Sequence, residues 1–150
     1  MSKNFKFKLD GLLKIREFKE KKVKLELGSI LTEIESVKSR IQKDQTEIEE
    51  CYNAQEEFLS SPSSGQMAQF FPQFIQTKRE DQKAQGNILR SLERQYEDKL
   101  GELAKAKGEV KVIDKLKDKD ETAFNKKKAK KFQETLDEYT MIKKYREKQL

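Results

Sequence analysis

The sequence predicts an all-α protein, a long antiparallel two-helix coiled-coil hairpin whose second helix is the longer. Three observations predict it. Charged residues make up 40% of the 150 positions and hydrophobic ones 34%, against averages of roughly 25% and 45–50%, so a spherical core cannot be filled. Pro and Gly number only 2 and 6, too few for a low-complexity linker. Apolar residues recur at the alternating four-three spacing of a coiled-coil seam, which tolerates a polar composition because the seam is narrow.

The first helix is expected over about residues 5–59. Its seam steps through Leu9, Leu13, Arg16, Glu20, Val23, Leu27, Ile30, Ile34, Val37, Ile41, Asp44, Ile48, Cys51, Gln55 and Phe58. From Val23 to Ile41 six positions in succession are apolar. The polar positions Arg16 and Glu20 fall beside a second stripe, Leu12, Ile15 and Phe18, which predicts that the contact face widens or rotates there. Asp44 reads as a register-setting polar seam residue. Cys51 reads as a small buried hydrophobe whose thiol pKa is raised by neighbouring Glu49 and Glu50.

A turn is expected over about residues 60–66, where Ser60-Ser61-Pro62-Ser63-Ser64-Gly65 gathers the residues that stop helices. Pro72 leaves two readings open: it lies in the first turn of the next helix, or it bends a helix begun near Met67. The second helix is expected over about 67–148. Its stripe is Ile88, Leu89, Leu92, Tyr96, Leu100, Leu103, Ala106, Val110, Ile113 and Leu116, thinning to Phe124, Phe132, Leu136, Tyr139, Ile142 and Tyr145. The 11 residues between Ile113 and Phe124 suggest a stutter. Gly86, Gly101 and Gly108 are expected to be soft points or places of close approach.

Residues 1–150 thus form one hairpin with unequal arms, about 80 Å and about 110 Å at 1.5 Å per residue. Pairing outward from the turn sets Phe5 opposite the region of Glu121. Residues from about Thr122 onward should overhang the N-terminus without a partner in this chain.

Composition also excludes chemistry. There is no His, so His triads, His metal ligands and His proton relays are absent. One Cys makes neither an intrachain disulfide nor a thiolate zinc cluster. No catalytic residue, metal site or cofactor is expected. No apolar run reaches the roughly 18 residues of a membrane span, and the N-terminus lacks the apolar stretch of a signal peptide. The expectation is a cytosolic, non-catalytic protein.

The charge is segregated. Residues 1–24 hold nine Lys/Arg against three Asp/Glu, and residues 126–150 hold nine against four. The two ends therefore carry +11 and the remainder −5, for the net +6. This polarity suits different partners at two ends. Lys126, Lys127, Lys128, Lys130 and Lys131 form the densest basic run. Phosphates, an anionic membrane face and the acidic rim of a protein are all chemically suitable targets, but no nucleic-acid-binding signature accompanies the run, and nucleic acid is not the expected partner. Tyr52, Phe58, Phe70, Phe71 and Phe74, with Met67 and Ile75, gather near the turn. A two-helix end has one inner face, so some of these aromatics should be exposed as a contact site.

The opening Phe5-Lys6-Phe7-Lys8-Leu9-Asp10-Gly11-Leu12-Leu13-Lys14-Ile15-Arg16 resembles the N-terminus of the FliJ family of bacterial flagellar export proteins. Gln73 to Thr77 resembles that family's start of helix two, Lys111 to Lys117 its segment before the C-terminal arm, and Glu134 to Glu138 its closing element. The resemblance runs in order over essentially the whole chain. It implies a stalk-like coiled coil whose ends bind the hexameric flagellar export ATPase and which also contacts the export gate cytoplasmic domain and export chaperones. It further implies a cytoplasmic location, peripheral on the cell membrane at the flagellar base. On this reading Leu13, Arg16, Lys126, Lys127, Lys128, Lys130, Lys131 and Phe132 face the ATPase ring, and Tyr52, Phe58 and Phe74 face the gate. Lys78 stands where the family often has an apolar residue, which alters that surface. The stalks of virulence-type secretion systems are the near alternative; a generic coiled-coil scaffold or homodimer is the more distant one.

Overall fold

The computed structural model describes residues 4–60, 65 and 67–149. Two helices pack against each other as an all-α two-helix hairpin, with no strand among the described residues. Helix α1 spans Asp10–Leu59. A single 3-10 turn, Met67–Gln69, leads into α2, Phe70–Lys148. Residues 61–64 and 66, most of the expected turn, lie outside the described residues.

Helix α1 begins five residues later than expected. Phe5 and Phe7 are half-buried while Lys6 and Lys8 are exposed, a two-residue alternation that suits extended backbone, not a helix. Asp10 opens the helix, where a carboxylate favours the exposed N–H groups of the first turn. Leu9, the first expected seam position, precedes the helix and is exposed. Pro72 sits in the first turn of α2, the first of its two readings; its missing N–H costs no helical bond there.

The chain divides into two compact units. Unit 2, residues 22–104, has its core where Ile48, Cys51 and Ile75 are buried against Phe71 and Phe74. Its cross-helix partners run backward along α2 as α1 advances. Glu26 meets Lys99, Arg40 meets Asp81, and Cys51 lies beside Phe71, the antiparallel order expected. Val23, Ile34, Asp44, Ile48 and Cys51 are buried, and Leu27, Ile30, Val37, Ile41, Gln55 and Phe58 half-buried.

Unit 1 comprises residues 1–21 and 105–150. Leu13, Ala106 and Ile113 form its buried positions, and Phe5 packs on Phe124 with ring centroids 5.6 Å apart. The seam does not rotate here. Arg16 and Glu20 stay half-buried in phase, while Ile15 and Phe18 are 67% and 70% exposed. The reason is visible at Arg16: its Nη1 donates to the Glu109 carbonyl at 3.2 Å. Lys19 also pairs with the Glu109 carboxylate at 3.8 Å. A long side chain that lays its stem along the seam and donates at its tip keeps a polar position in register. Nor is there a stutter after Ile113. The 11-residue interval is a four-three-four step through Lys117, half-buried, and Asp120, so Phe124 arrives in phase. Every described residue after Phe124 is exposed.

Candidate partner-binding surfaces

In unit 1 the arm of α2 beyond Phe124 exposes large apolar side chains that no other part of the described chain covers. Phe132, Leu136, Tyr139 and Ile142 are exposed large hydrophobics. At about 100° per residue, Phe132, Leu136 and Tyr139 share one face, with Lys128, Lys143 and Arg146 along it. The acids Glu134, Asp137 and Glu138 fall on the other side of the helix. Glu147 falls on the apolar face beside Leu136, while Lys126, Lys127, Lys130, Lys131, Lys144 and Lys148, with Met141 and Tyr145, lie around the rest of the helix. Lys126, Lys127, Lys128, Lys130 and Lys131 are all exposed, and Phe132 is 67% exposed.

The α1 residues expected beside them behave differently. Leu13 is only 4% exposed within the helix pair and offers no surface to a ring. Arg16 is half-buried with its guanidinium on Glu109. The outward residues on this stretch are Ile15 and Phe18. Counting the seam phase back from Val23 would have found them, because Arg16 and Glu20 already complete the inward face.

In unit 2 the end of the helix pair is aromatic. Phe58 meets Phe71 edge-on at 5.5 Å, and Phe70 packs on Phe74 at 5.8 Å. Of the three residues expected to face a gate, Phe58 and Phe74 are half-buried and Tyr52 is exposed. The Tyr52 hydroxyl accepts from Arg79 Nη2 at 3.0 Å. Lys78 lies over the Phe74 ring, 5.4 Å from its centroid, a cation–π contact that covers part of the ring. Among the described residues here, the most open apolar groups are Leu59 and Phe70, at 64% and 59% exposure. Leu59 escaped the sequence reading because it lies one residue past Phe58, the last seam position counted.

Between this aromatic end and Glu26 lies a charged layer. Lys78 Nζ is 2.6 Å from Glu47 and 3.7 Å from Asp44. Arg40 grips Asp81 with both Nε and Nη2, at 3.0 and 2.7 Å. The layer borders an open groove of about 400 Å³ lined by Arg40, Lys43, Asp44, Glu47, Thr77, Lys78 and Asp81. Burial, then the facing Asp81 carboxyl, pushes the Asp44 pKa above its ordinary value. Hydrogen bonding to Asp44 and to Arg40 holds Asp81 low. The hydrogen bond to Glu47 raises Lys78. Farther along the same unit, Lys99 and Glu26, 2.5 Å apart, stabilise one another's charged forms.

Cys51 is buried, with Sγ 3.9 Å from the Phe71 carbonyl. Its thiol pKa is raised by burial, in place of the acidic neighbours expected to raise it. Among the described residues there is no His/Cys/Asp/Glu group able to hold a metal ion, and no helix long and apolar enough to cross a membrane.

No curated protein and no solved structure matches the chain. A family described as flagellar FliJ protein matches residues 5–149.

Proposed function

The chain belongs to the flagellar FliJ protein family, a component of the flagellar export apparatus, and from that premise we propose that it serves as a non-enzymatic stalk between the export ATPase and the export gate. The arm in residues 125–149 enters the hexameric ATPase ring. The aromatic end of unit 2 meets the cytoplasmic domain of the gate, and export chaperones dock on the same protein. The chain is then peripheral at the membrane through these partners. The family is the flagellar one, which favours this reading over a virulence-type stalk.

The observation that carries the proposal is the arm. A helix whose described residues are all exposed, yet which aligns Phe132, Leu136 and Tyr139 on one face with Lys128, Lys143, Arg146 and Glu147 along it, offers an apolar stripe of the kind that docks in a groove. Its basic charge suits an acidic rim and would speed encounter. The contact set expected from sequence changes accordingly: Lys126, Lys127, Lys128, Lys130, Lys131 and Phe132 remain available, whereas Leu13 and Arg16 support the helix pair. At the gate end Leu59 and Phe70 join Tyr52 as the accessible groups.

ATP hydrolysis by the cognate export ATPase, with and without this chain, tests the reading. The chain is expected to raise the rate or drive ring assembly. Phe132→Ala with Tyr139→Ala should weaken association at least about tenfold, the effect of losing roughly 1.4 kcal/mol. Unchanged ATPase rate and assembly, with no association by pull-down, would discard the stalk reading.

A further inference from the structure

We propose that Asp44 and Asp81 share one proton across the helix pair of unit 2, with Asp44 Oδ2–H donating to the Asp81 carboxylate, and that this layer of the seam is thereby a latch that a proton closes. The proposal concerns only the packing of α1 on α2 and is independent of the stalk reading.

The geometry that carries it is a buried oxygen without a partner. The Asp44 side chain is 6% exposed. Its Oδ2 is sealed from solvent and has no hydrogen-bond partner among the described residues. A buried acceptor left in that state is costly and rare enough to need a cause. The donors of the layer are engaged elsewhere. Lys78 Nζ lies 2.6 Å from Glu47 and only 3.7 Å from Asp44 Oδ1. Arg40 Nε and Nη2 both donate to Asp81. Gln82 Nε2 donates to the Ile41 carbonyl and to Gln45. What Asp44 faces across the seam is an acid: Asp81 lines the same groove and lies within hydrogen-bonding reach of it. Two carboxyl groups that close are stable together when one of them holds a proton.

The charge balance of the layer points the same way. Helix α1 contributes Arg40, Lys43, Asp44 and Glu47, and α2 contributes Lys78 and Asp81 beside the uncharged Thr77. Glu47 has Lys78, and Asp81 has Arg40. Lys43 is exposed and acts on Glu47. Asp44 is left with the longer contact to the shared Lys78. A proton from solvent supplies the missing positive charge and turns Oδ2 from an orphaned acceptor into a donor. Asp81 keeps its charge, held between Asp44 and Arg40. Burial, then Asp81, pushes the Asp44 pKa up, while hydrogen bonds from Asp44 and then Arg40 hold Asp81 down. The latch is therefore closed between the lowered value of Asp81 and the raised value of Asp44, and it opens as pH rises through the latter.

Carboxyl carbon shifts of Asp44 and Asp81 are followed by NMR from about pH 2 to 8 in wild type, Asp44→Asn, Asp44→Leu and Asp81→Asn, within the range where circular dichroism shows each to be helical. The chain has no His, so no imidazole titrates there. In wild type Asp44 should take up its proton above 3.8 and Asp81 below it. Asp81→Asn should cut the proton affinity of Asp44 severalfold. Asp44→Asn keeps an N–H donor and should leave Asp81 low, whereas Asp44→Leu removes the donor and should raise it. Amide hydrogen exchange over residues 40–47, corrected for its intrinsic pH dependence, should lose protection in wild type as pH rises through the Asp44 midpoint and stay level in Asp44→Asn. Three results would overturn the proposal. An Asp44 midpoint unmoved by Asp81→Asn would leave burial alone as its cause. An Asp81 midpoint equal in Asp44→Asn and Asp44→Leu would mean that Asp44 donates nothing to it. Protection in wild type that ignores the Asp44 titration would mean that the proton closes no latch.

Discussion

Asp44 shows how much one residue does in a narrow seam. It is buried, its Oδ1 is 3.7 Å from Lys78, and its Oδ2 has no hydrogen-bond partner among the described residues. Asp81 faces it, so the ionised form meets both desolvation and a like charge. Removing the carboxyl takes one partner from Asp81 but leaves no charge unpaired, because Lys78 keeps Glu47 and Asp81 keeps Arg40. Asp44→Leu is therefore expected to stabilise the pair, measured by urea unfolding. The cost to look for is specificity: without a polar seam residue the helices should tolerate alternative registers or oligomers, which sedimentation would reveal. The pH dependence follows in sign. The native Asp44 pKa lies above the unfolded value of 3.8. The native state therefore binds its proton more readily, and stability attributable to Asp44 rises as pH falls from 7 toward that range. Asp81 works the other way, and its stabilising charge is lost only below 3.8. The advantage of Asp44→Asn over wild type at pH 7 should thus shrink as pH falls from 7 toward 3.8. An advantage that stays constant across that window would remove the ionised carboxylate as its cause.

The helices themselves carry costs that packing does not require. Gly101 and Gly108 lie inside α2, and a methyl group added at either meets nothing within 4 Å. They are not places of close approach. Gly101→Ala and Gly108→Ala should each stabilise by about 1 kcal/mol, read from the denaturation midpoint at constant m-value. Buried and outward residues of the same helices should separate just as clearly. Ile113→Ala and Ile48→Ala remove buried side chains and should cost roughly 2–4 kcal/mol, whereas Ile15→Ala should fall within about 0.5 kcal/mol of wild type. A large loss at Ile15 would mean that the seam does rotate there. In the arm, every described side chain after Phe124 is exposed. Ending the chain there should leave the melting temperature nearly unchanged while abolishing association with the ATPase.

For the whole molecule the charge follows the units. Unit 1 holds 22 Lys/Arg against 12 Asp/Glu, and unit 2 holds 11 against 15, a balance of +10 and −4. Two surfaces of opposite sign suit two classes of partner and discourage either from binding at the wrong place. Association through unit 1 should accordingly weaken with ionic strength over the range in which the Debye length falls from about 10 to 3 Å. Lys126→Glu, Lys127→Glu and Lys128→Glu together should weaken it even at low salt. A stalk that works as one chain should sediment as a monomer at micromolar concentration, whereas an obligate dimer there would favour a scaffold.

The phase of the seam was legible from residues alone. An α-helix repeats near 3.6 and a paired helix near 3.5 residues per turn, so the run from Val23 to Ile41 dictates which positions face inward for turns in either direction. The unpartnered arm was legible too, because the shorter helix ends before the longer. Proximity across the pair was not. Whether Arg16 or Ile15 turns inward depends on a carbonyl 93 residues away at Glu109, and whether Phe74 is free depends on Lys78 lying over its ring. Helical periodicity is a local property written along one chain. Which of two competing stripes is buried is a contest between contacts with the other helix, and only the tertiary structure decides it.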